Sequence, residues 1–464
     1  MITMAFEKFY QYNHNNWLIK FLLVFSAGFS VSAVADEWYI QPSFSLRTEY
    51  DDNKRLFTDT FLRSLREQRG EVGIDSYGII TTADVKTGVR SDNYDVFFKG
   101  KVAVKKFFSD LDLDHENFFL DFKSSYNFDA RNTFSLSAAY NQESTLTAGL
   151  DVTGILENIP RWTWTVSPDW MFLLSEDKYI QANYSHTDVS YGESLTSRYT
   201  DYTYDSVSLT FFHQWNAKLQ NYASVGWSRF EQSDVNLQVD EVTINTGLNY
   251  SFSETWTASI MGGLRFTQTD GFKAVISENL IATNLPSFGA NGRFRINGNL
   301  FEEIDGTVFL VGSQGALQAF SDEQTGLVFT VNTEKQFEKG NASISYSRST
   351  SPSGSEGLRT VDRFSFDSLY KITQHLHFLL NGAIHMTKST ENTQISRDRT
   401  YYTVTPQLRW QFNRQLSLSG GYRYRRQEYE PGKNSTSSIT STAESNAVFI
   451  TLKYQWDKFS TQEF

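Results

Sequence analysis

The stretch Val448-Phe449-Ile450-Thr451-Leu452-Lys453-Tyr454-Gln455-Trp456 decides the fold of this chain. In an extended strand, one face carries Val448, Ile450, Leu452, Tyr454 and Trp456, and the other carries Thr451, Lys453 and Gln455. Similar alternation recurs back to Trp38, and the connections between segments are alternately short and long. A series of strands with one apolar and one polar face predicts an all-β fold, a transmembrane antiparallel up-and-down β-barrel.

The alternation predicts about 20 strands, give or take two. The predicted segments are 38–51, 72–89, 94–107, 115–127, 132–144, 161–174, 178–189, 202–216, 219–232, 237–252, 255–269, 286–298, 305–320, 325–337, 341–350, 359–372, 375–388, 398–412, 415–429 and 444–456. The stretch 270–320 alternates least clearly, because glycines interrupt it at 289–292 and 312–315. Without the hairpin predicted there, about 18 strands would remain.

The connections favour an up-and-down order with two different ends. The short polar turns at 91–93, 175–177, 216–218, 253–255 and 413–415 are predicted to face the periplasm. The longer polar segments at 52–71, 145–160, 190–201, 270–285, 351–358, 389–397 and 430–443 are predicted to be extracellular loops.

Composition excludes several classes of protein. Aromatic residues make up 16% of the chain, which fits the interfacial belts of a membrane barrel. A mean hydropathy of -0.42 excludes a multi-helix inner-membrane protein. With no Cys, disulfide scaffolds and thiol chemistry are excluded, and the net charge of -11 argues against nucleic acid as a partner.

The N-terminus predicts export. Lys20 precedes the apolar run 21–25, and Ala33-Val34-Ala35 is a suitable cleavage motif before Asp36. We therefore expect residues 1–35 to be a cleaved signal peptide and 36–464 to form one outer-membrane barrel domain. The alternative is an uncleaved membrane anchor, which the short apolar run disfavours.

The C-terminus is consistent with recognition by barrel-assembly machinery, which reads a last strand with alternating aromatics. Two arrangements remain open. The last strand ends at Trp456 and a short tail follows, or the tail 457–464 with its final Phe464 serves as the recognition peptide.

Three stretches in the last third of the chain carry a family resemblance. They are Ser345-Tyr346-Ser347-Arg348-Ser349-Thr350-Ser351-Pro352-Ser353-Gly354-Ser355, Asp398-Arg399-Thr400-Tyr401-Tyr402-Thr403-Val404-Thr405-Pro406 and Gly421-Tyr422-Arg423-Tyr424-Arg425-Arg426-Gln427-Glu428-Tyr429. With the closing strand, this region resembles outer-membrane β-barrel porin-like proteins associated with exopolysaccharide biosynthesis loci. The resemblance implies passage or tethering of a secreted polysaccharide, implies a separate periplasmic polysaccharide-export protein as a plausible partner, and carries over no catalytic residue.

If the apolar faces contact lipid, the opposite faces line the lumen. The predicted basic wall consists of Lys86, Lys99, Lys101, Lys105, Lys123, Arg265, Arg363, Lys371, Arg409, Arg423, Arg425 and Lys453. The acids predicted on the same faces are Asp84, Asp95, Asp121, Asp169 and Asp367. A basic wall would attract anionic solutes such as uronic-acid polymers. Alternatively, these charges pair with one another or only keep the lumen hydrated, and a one-residue slip would invert a strand.

Enzymatic patterns are weak, so we predict no catalytic, cofactor or metal site. His375, His377 and His385 share a strand face, and a two-residue spacing could in principle hold a metal, but a polar role on a hydrated wall is the simpler interpretation. Phe212 and Phe449 are candidate inward sugar-stacking platforms, or else pack against an inserted loop.

The sequence thus predicts a passive outer-membrane pore with a basic lumen that exports an exopolysaccharide. A general diffusion porin for small anions is one alternative, and a blocked scaffold or adhesin barrel is another. An outer-membrane hydrolase is a more remote one. Outer-membrane lipid and anionic polysaccharide are the expected partners.

Overall fold

The computed structural model describes residues 37–59, 62–63, 67, 73–109, 112–148, 158–192, 199–282, 292–296, 299–304, 307–353, 357–389, 398–430 and 441–460. The predicted signal peptide 1–35 and the final residue Phe464 lie outside this range.

The described chain is almost entirely β-strand. The first strands are β1 (Glu37–Asp51), β2 (Ser76–Arg90), β3 (Tyr94–Phe108), β4 (His115–Asn127), β5 (Asn132–Ser144), β6 (Pro160–Ser175), β7 (Lys178–Tyr191), β8 (Tyr202–Asn216), β9 (Leu219–Gln232), β10 (Leu237–Ser253) and β11 (Trp256–Ala282). They are followed by β12 (Gly292–Ile296), β13 (Asn299–Ile304), β14 (Thr307–Phe337), β15 (Gly340–Ser353), β16 (Gly357–Lys371), β17 (Leu376–Ser389), β18 (Asp398–Gln411), β19 (Leu416–Glu430), β20 (Ser441–Gln455) and β21 (Phe459–Ser460). A helical turn, α1 (Thr145–Ala148), follows β5, and a 3-10 turn, Ser233–Val235, follows β9.

The strands close into an 18-stranded antiparallel barrel, which confirms the predicted fold class. Each wall strand pairs with its neighbour in sequence, except that β11 pairs with β14, and β20 returns to β1 through Ser43–Asp51. Closure removes the free edges that an open sheet would expose.

Eight connections of two to four residues lie at one end of the barrel, called the short-turn end below. The turns after β2, β6, β8, β10 and β18 are the five predicted as short, and those after β4, β14 and β16 join them. The connections after β1, β3, β5, β7, β9, β15, β17 and β19 lie at the opposite end, called the loop end below. The predicted division of the connections is therefore present except after β9 and β15, where only four and three residues separate the strands at the loop end.

The stretch 270–320 differs from the prediction. Strand β11 continues to Ala282 where a loop is predicted, and the predicted strands 305–320 and 325–337 are one strand, β14. Beyond Asp270, β11 loses its partner β10 and pairs only with β14. This two-stranded ribbon continues about 40 Å beyond Asp270 at a rise of ~3.3 Å per residue. Strands β12 and β13 pair alongside its far end and are not part of the wall.

The ladder between β14 and β15 is short. It runs from Phe329 to Phe337 on β14, whereas β15 continues to Ser353 without a described partner on that side. The C-terminus is also irregular, because β20 ends at Gln455 and Phe459–Ser460 then resume pairing with β1. Trp456 therefore lies just past the last long strand.

Candidate functional site in the barrel lumen

The outer surface of the wall is an apolar band. Outward positions on β11 are Trp256, Ala258, Ile260, Gly262, Leu264 and Phe266, followed by the polar Gln268. The ten steps from Trp256 to Phe266, at ~3.3 Å each on a strand tilted by ~40°, span about 25 Å. This height is typical of the lipid-facing band of a membrane barrel. In the described part of the chain, no helix is long and apolar enough to cross a membrane.

Tryptophans mark the short-turn end of the band. Trp215 is 63% exposed beside the turn after β8, and Trp256 and Trp410 occupy corresponding positions at the ends of β11 and β18. Trp256 donates its indole N–H to Thr333 Oγ1 at 2.9 Å. An aromatic belt at this level is what a membrane interface favours.

The strand registers place the whole predicted basic set on the inner face. Because side chains alternate, the exposed apolar residues fix the phase of each strand. Opposite neighbours on the inner face include Lys86 with Lys99, and Lys101 with Asp84. The inward residues are Lys86, Lys99, Lys101, Lys105, Lys123, Arg265, Arg363, Lys371, Arg409, Arg423, Arg425 and Lys453. The predicted acids Asp84, Asp95, Asp121, Asp169 and Asp367 share this face.

Several inward charges escaped the sequence reasoning. They are Arg47, Glu49, Asp51, Glu143, Arg161 and Glu241. Arg161 and Glu143 are opposite neighbours on β6 and β5, with 3.5 Å between their charged atoms. In β1, Arg47, Glu49 and Asp51 alternate in phase with the inward Ser43, so following that face to the end of the strand would have found them. The four acids in this set outnumber its two bases, so the set offsets part of the positive charge predicted for the lumen wall.

The strongest pairing forms at the loop end, in what we call the ionic cluster: Arg47, Glu49, Asp51, Lys54, Arg423 and Arg425. Glu49 pairs with Arg47, Lys54 and Arg423. Arg425 Nη2 lies 2.8 Å from Asp51 Oδ2, and Ser445 Oγ donates to Asp51 Oδ1 at 2.7 Å. The predicted lumen bases Arg423 and Arg425 are therefore paired and are not available to a solute.

The ionic cluster is completed by residues 52–59 after β1, called the first loop below, which folds into the barrel. Leu56 packs on Tyr401 and Ala443, and Asn53 donates its side-chain amide to Glu444 O at 2.9 Å. Leu56 adopts a left-handed backbone (φ 50°), which leucine rarely does, so the surrounding contacts must fix it. Burial lowers the pKa of Lys54 to about 8, despite the attraction of Glu49.

On the other side of the loop end, the β15–β16 hairpin leaves the wall. Its end, residues 349–353 and 357–361, is called the hairpin tip below. The phase of β16, set by the exposed Phe364, would turn Leu358 and Thr360 outward. Instead, Leu358 is 2% exposed and packs with Val189, Tyr202, Phe230 and Val239 on the inner face of β7–β10.

Polar contacts hold the hairpin tip in the lumen. Thr350 Oγ1 donates to Glu241 Oε1 at 2.9 Å, and Arg265 Nη2 donates to Thr360 Oγ1 at 3.1 Å. Arg265 reaches Thr360 across Gly326, where any Cβ would lie 2.6 Å from its guanidinium. The predicted lumen base Arg265 is therefore part of a structural contact that narrows the barrel.

A less neutralised group of bases lies towards the short-turn end, on β2, β3 and β20. Lys86, Lys99, Lys101 and Lys453 line one cavity of about 240 Å³, called the lysine pocket below. Among the described residues, only Lys99 of these has a carboxylate partner within 4.0 Å, Asp121 at 3.8 Å. This pocket is the part of the predicted wall that retains positive charge facing the lumen.

Three inward rings form an aromatic row on β7–β9, near the same end. Tyr179 and Phe212 stack with centroids 4.4 Å apart, and Tyr222 follows at 5.5 Å from Phe212. Tyr222 lies over Gly247, where a Cβ would meet its ring at 2.4 Å. Phe449, the other predicted platform, is instead covered by the guanidinium of Arg47 at 3.8 Å from its ring centroid. Phe212 thus faces the lumen, whereas Phe449 packs against the ionic cluster.

The three histidines do not assemble a metal site. His375 lies in the turn before β17, and its ring nitrogen is 3.0 Å from Gln411 O. His377 and His385 are eight positions apart on the inner face of β17, opposite Arg409 and Tyr401. Within the described residues, no group of three His, Cys, Asp or Glu residues could hold a metal ion.

Comparison with known proteins gives only architectural neighbours. The sequence matches no protein-family model and no curated protein sequence. Similar solved structures include the outer membrane protein OpdK from Pseudomonas aeruginosa, at 10% identity and TM-score 0.42, covering 90% of this chain and 99% of that one. Others are OccAB3 from Acinetobacter baumannii (8%, TM-score 0.39, covering 90% and 99%) and the ferric-catecholate import receptor Fiu from E. coli K12 (9%, TM-score 0.40, covering 90% and 81%). The similarity is one of barrel architecture alone.

Proposed function

We propose that the protein is an outer-membrane channel for an anionic exopolysaccharide. The closed barrel carries an apolar band on its outer surface, and barrels of this kind reside in bacterial outer membranes. A barrel of 18 strands is wide enough to enclose an aqueous path.

The proposed solute rests on one observation: aromatic rings and uncompensated lysines both line the lumen. The aromatic row offers flat apolar faces on which sugar rings can stack, and the lysine pocket offers positive charge to acidic substituents. The resemblance to proteins of exopolysaccharide loci points to the same class of solute. Transport would be passive, and a periplasmic polysaccharide-export protein would deliver the polymer to the short-turn end.

A small-anion porin is a second candidate, favoured by the narrowing of the loop end. The first loop and the hairpin tip both occupy the lumen, and their contacts leave less room for a polymer than the bare barrel would. Under this alternative, the lysine pocket would select small anions from the solution.

Planar-bilayer recording with the purified barrel tests the channel function. We expect steady conductance, and a reversal potential under a salt gradient that shows preference for anions. An oligosaccharide of uronic acids should interrupt the current for longer than a neutral oligosaccharide of the same length, because only the first engages both chemistries.

Deletion of the gene separates the two candidates. Loss of polymer secretion, with polymer retained in the periplasm, would support export. Unchanged secretion together with anion conductance would support the small-anion porin instead. A barrel without conductance, or with preference for cations, would contradict both.

A further inference from the structure

The lysine pocket has the composition of a defined binding site within the wall. It lies where β20, β1, β2 and β3 adjoin, and it is lined by Gln41, Ser43, Asp84, Lys86, Lys99, Lys101, Lys453 and Gln455. Its volume of about 240 Å³ approaches the lower end of small-ligand pockets, ~300 Å³. It therefore has room for a charged group together with part of the molecule that bears it.

The charges of the lysine pocket do not cancel. Among the described residues that line it, Asp84 is the only carboxylate, and it accepts a hydrogen bond from Ser43 Oγ at 2.6 Å. Asp121 is close only to Lys99. Even with both acids counted against the four lysines, positive charge remains. The ionic cluster also has four bases and two carboxylates, but there each base lies at hydrogen-bonding distance from Glu49 or Asp51, whereas the nearest carboxylate contact in the lysine pocket, between Lys99 and Asp121, is 3.8 Å.

The side chains around the lysines are arranged to leave the ammonium groups available. Lys101 Nζ lies 4.8 Å from the centroid of the Phe119 ring, which orients this side chain without neutralising it. The amide side chains of Gln41 and Gln455 line the same cavity and can donate hydrogen bonds. Several donors converging on one space match the several acceptor oxygens of an oxyanion.

We infer that the lysine pocket is a binding site for an oxyanion, a phosphate, sulfate or carboxylate group that passes through the lumen. This inference rests on the proposed function only in assuming that solutes reach the lumen. The oxyanion is either a free inorganic ion or an acidic substituent on a saccharide.

The test is an equilibrium titration of the detergent-purified barrel with inorganic phosphate at low ionic strength. The variant K86Q/K101Q removes two ammonium groups from the pocket, and K218Q/K339Q removes the same charge from short turns outside the lumen. We expect the first variant to bind phosphate at least about tenfold more weakly, because charge attraction acts at short range, and the control to bind as wild type. K453Q, at an exposed position, is a second variant should the double substitution prevent folding.

Equal phosphate affinity in wild type, K86Q/K101Q and K453Q would overturn the site, as would equal weakening by K218Q/K339Q. A parallel titration with a uronic-acid trisaccharide identifies the source of the oxyanion. Tighter binding of the trisaccharide supports a polymer substituent, and equal or tighter binding of phosphate supports a free ion. Because binding is measured without current, a barrel that binds phosphate but does not conduct would retain the site and contradict the channel function.

Discussion

The hairpin tip should control the conductance of the barrel, and Leu358→Ala tests this directly. Leu358 is 2% exposed in an apolar pocket on the opposite part of the wall, although it belongs to a strand whose phase would turn it towards lipid. Its burial therefore depends on the tip lying in the lumen. Truncation to alanine should release the tip and widen the path.

The size of the effect follows from the lost packing. A buried leucine truncated to alanine costs about 2–4 kcal/mol, and a tenfold change in an equilibrium corresponds to ~1.4 kcal/mol. The ratio of undocked to docked tip should therefore rise by roughly thirtyfold to a thousandfold. Hydrogen bonds of the tip such as Thr350 to Glu241, Arg265 to Thr360 and Gln232 to Ser353 contribute about 1 kcal/mol each and hold the tip only partly.

Single-channel recording measures the outcome. We expect Leu358→Ala to show a higher mean conductance and more frequent transitions between levels than wild type. Leu408→Ala is the matched control, because Leu408 is 48% exposed on the outer face of β18. If Leu358→Ala and wild type conduct identically while Leu408→Ala is also unchanged, the hairpin tip does not limit the path and the reasoning fails.

Three further predictions concern the ionic cluster and the aromatic row. Asp51→Asn should lower the free energy of unfolding by about 3–5 kcal/mol, because it leaves buried Arg425 without its carboxylate. The unfolding temperature, read from the change in electrophoretic mobility of heated samples, should fall clearly below that of Asp240→Asn, the control on the outer face. Because the pKa of Lys54 is lowered to about 8, the unfolded chain holds this proton more tightly than the folded barrel, so the free energy of unfolding should increase between pH 8 and about 10.5. Across that window, the free energy of unfolding of the wild type should rise relative to that of Lys54→Met. A constant difference between the two would contradict the shift. Phe212→Ala should shorten current blocks by uronic-acid oligosaccharides severalfold, and its outward neighbour Phe211→Ala should not; equal blocks in both variants would remove the aromatic row from solute recognition.

The strands of the barrel wall could be predicted closely from sequence, because strand boundaries and side-chain orientation depend on residues that are near one another in the chain. Strands β4, β5 and β9 begin and end at the predicted residues 115–127, 132–144 and 219–232. Alternation fixes which side chain faces lipid, and Asn, Asp and Ser turns fix where each strand reverses. The inward placement of residues such as Lys99 and Arg409 follows from the same rule.

Features that depend on distant partners could not be predicted. The sequence predicts a break between 320 and 325, yet β14 continues through it because β11 pairs with β14 from Phe309 to Lys335. Leu358 follows the outward phase of β16 but lies in the lumen, since the hairpin bends away from β14. Arg423 and Arg425 were assigned to an open wall because their partners Glu49 and Asp51 are far away in sequence.

The position of the buried charges has a mechanical consequence. The two shortest ladders in the wall join β14 to β15 and β20 to β1. With backbone hydrogen bonds alone, the barrel would separate most easily into two halves at these two ladders. Arg425 and Ser445 fasten the second seam to Asp51, and Arg265 and Thr360 fasten the first across Gly326. Side-chain contacts thus join the wall where the backbone ladders are shortest. The force needed to separate the strands there should therefore depend on ionic and polar side-chain contacts as well as on backbone hydrogen bonds.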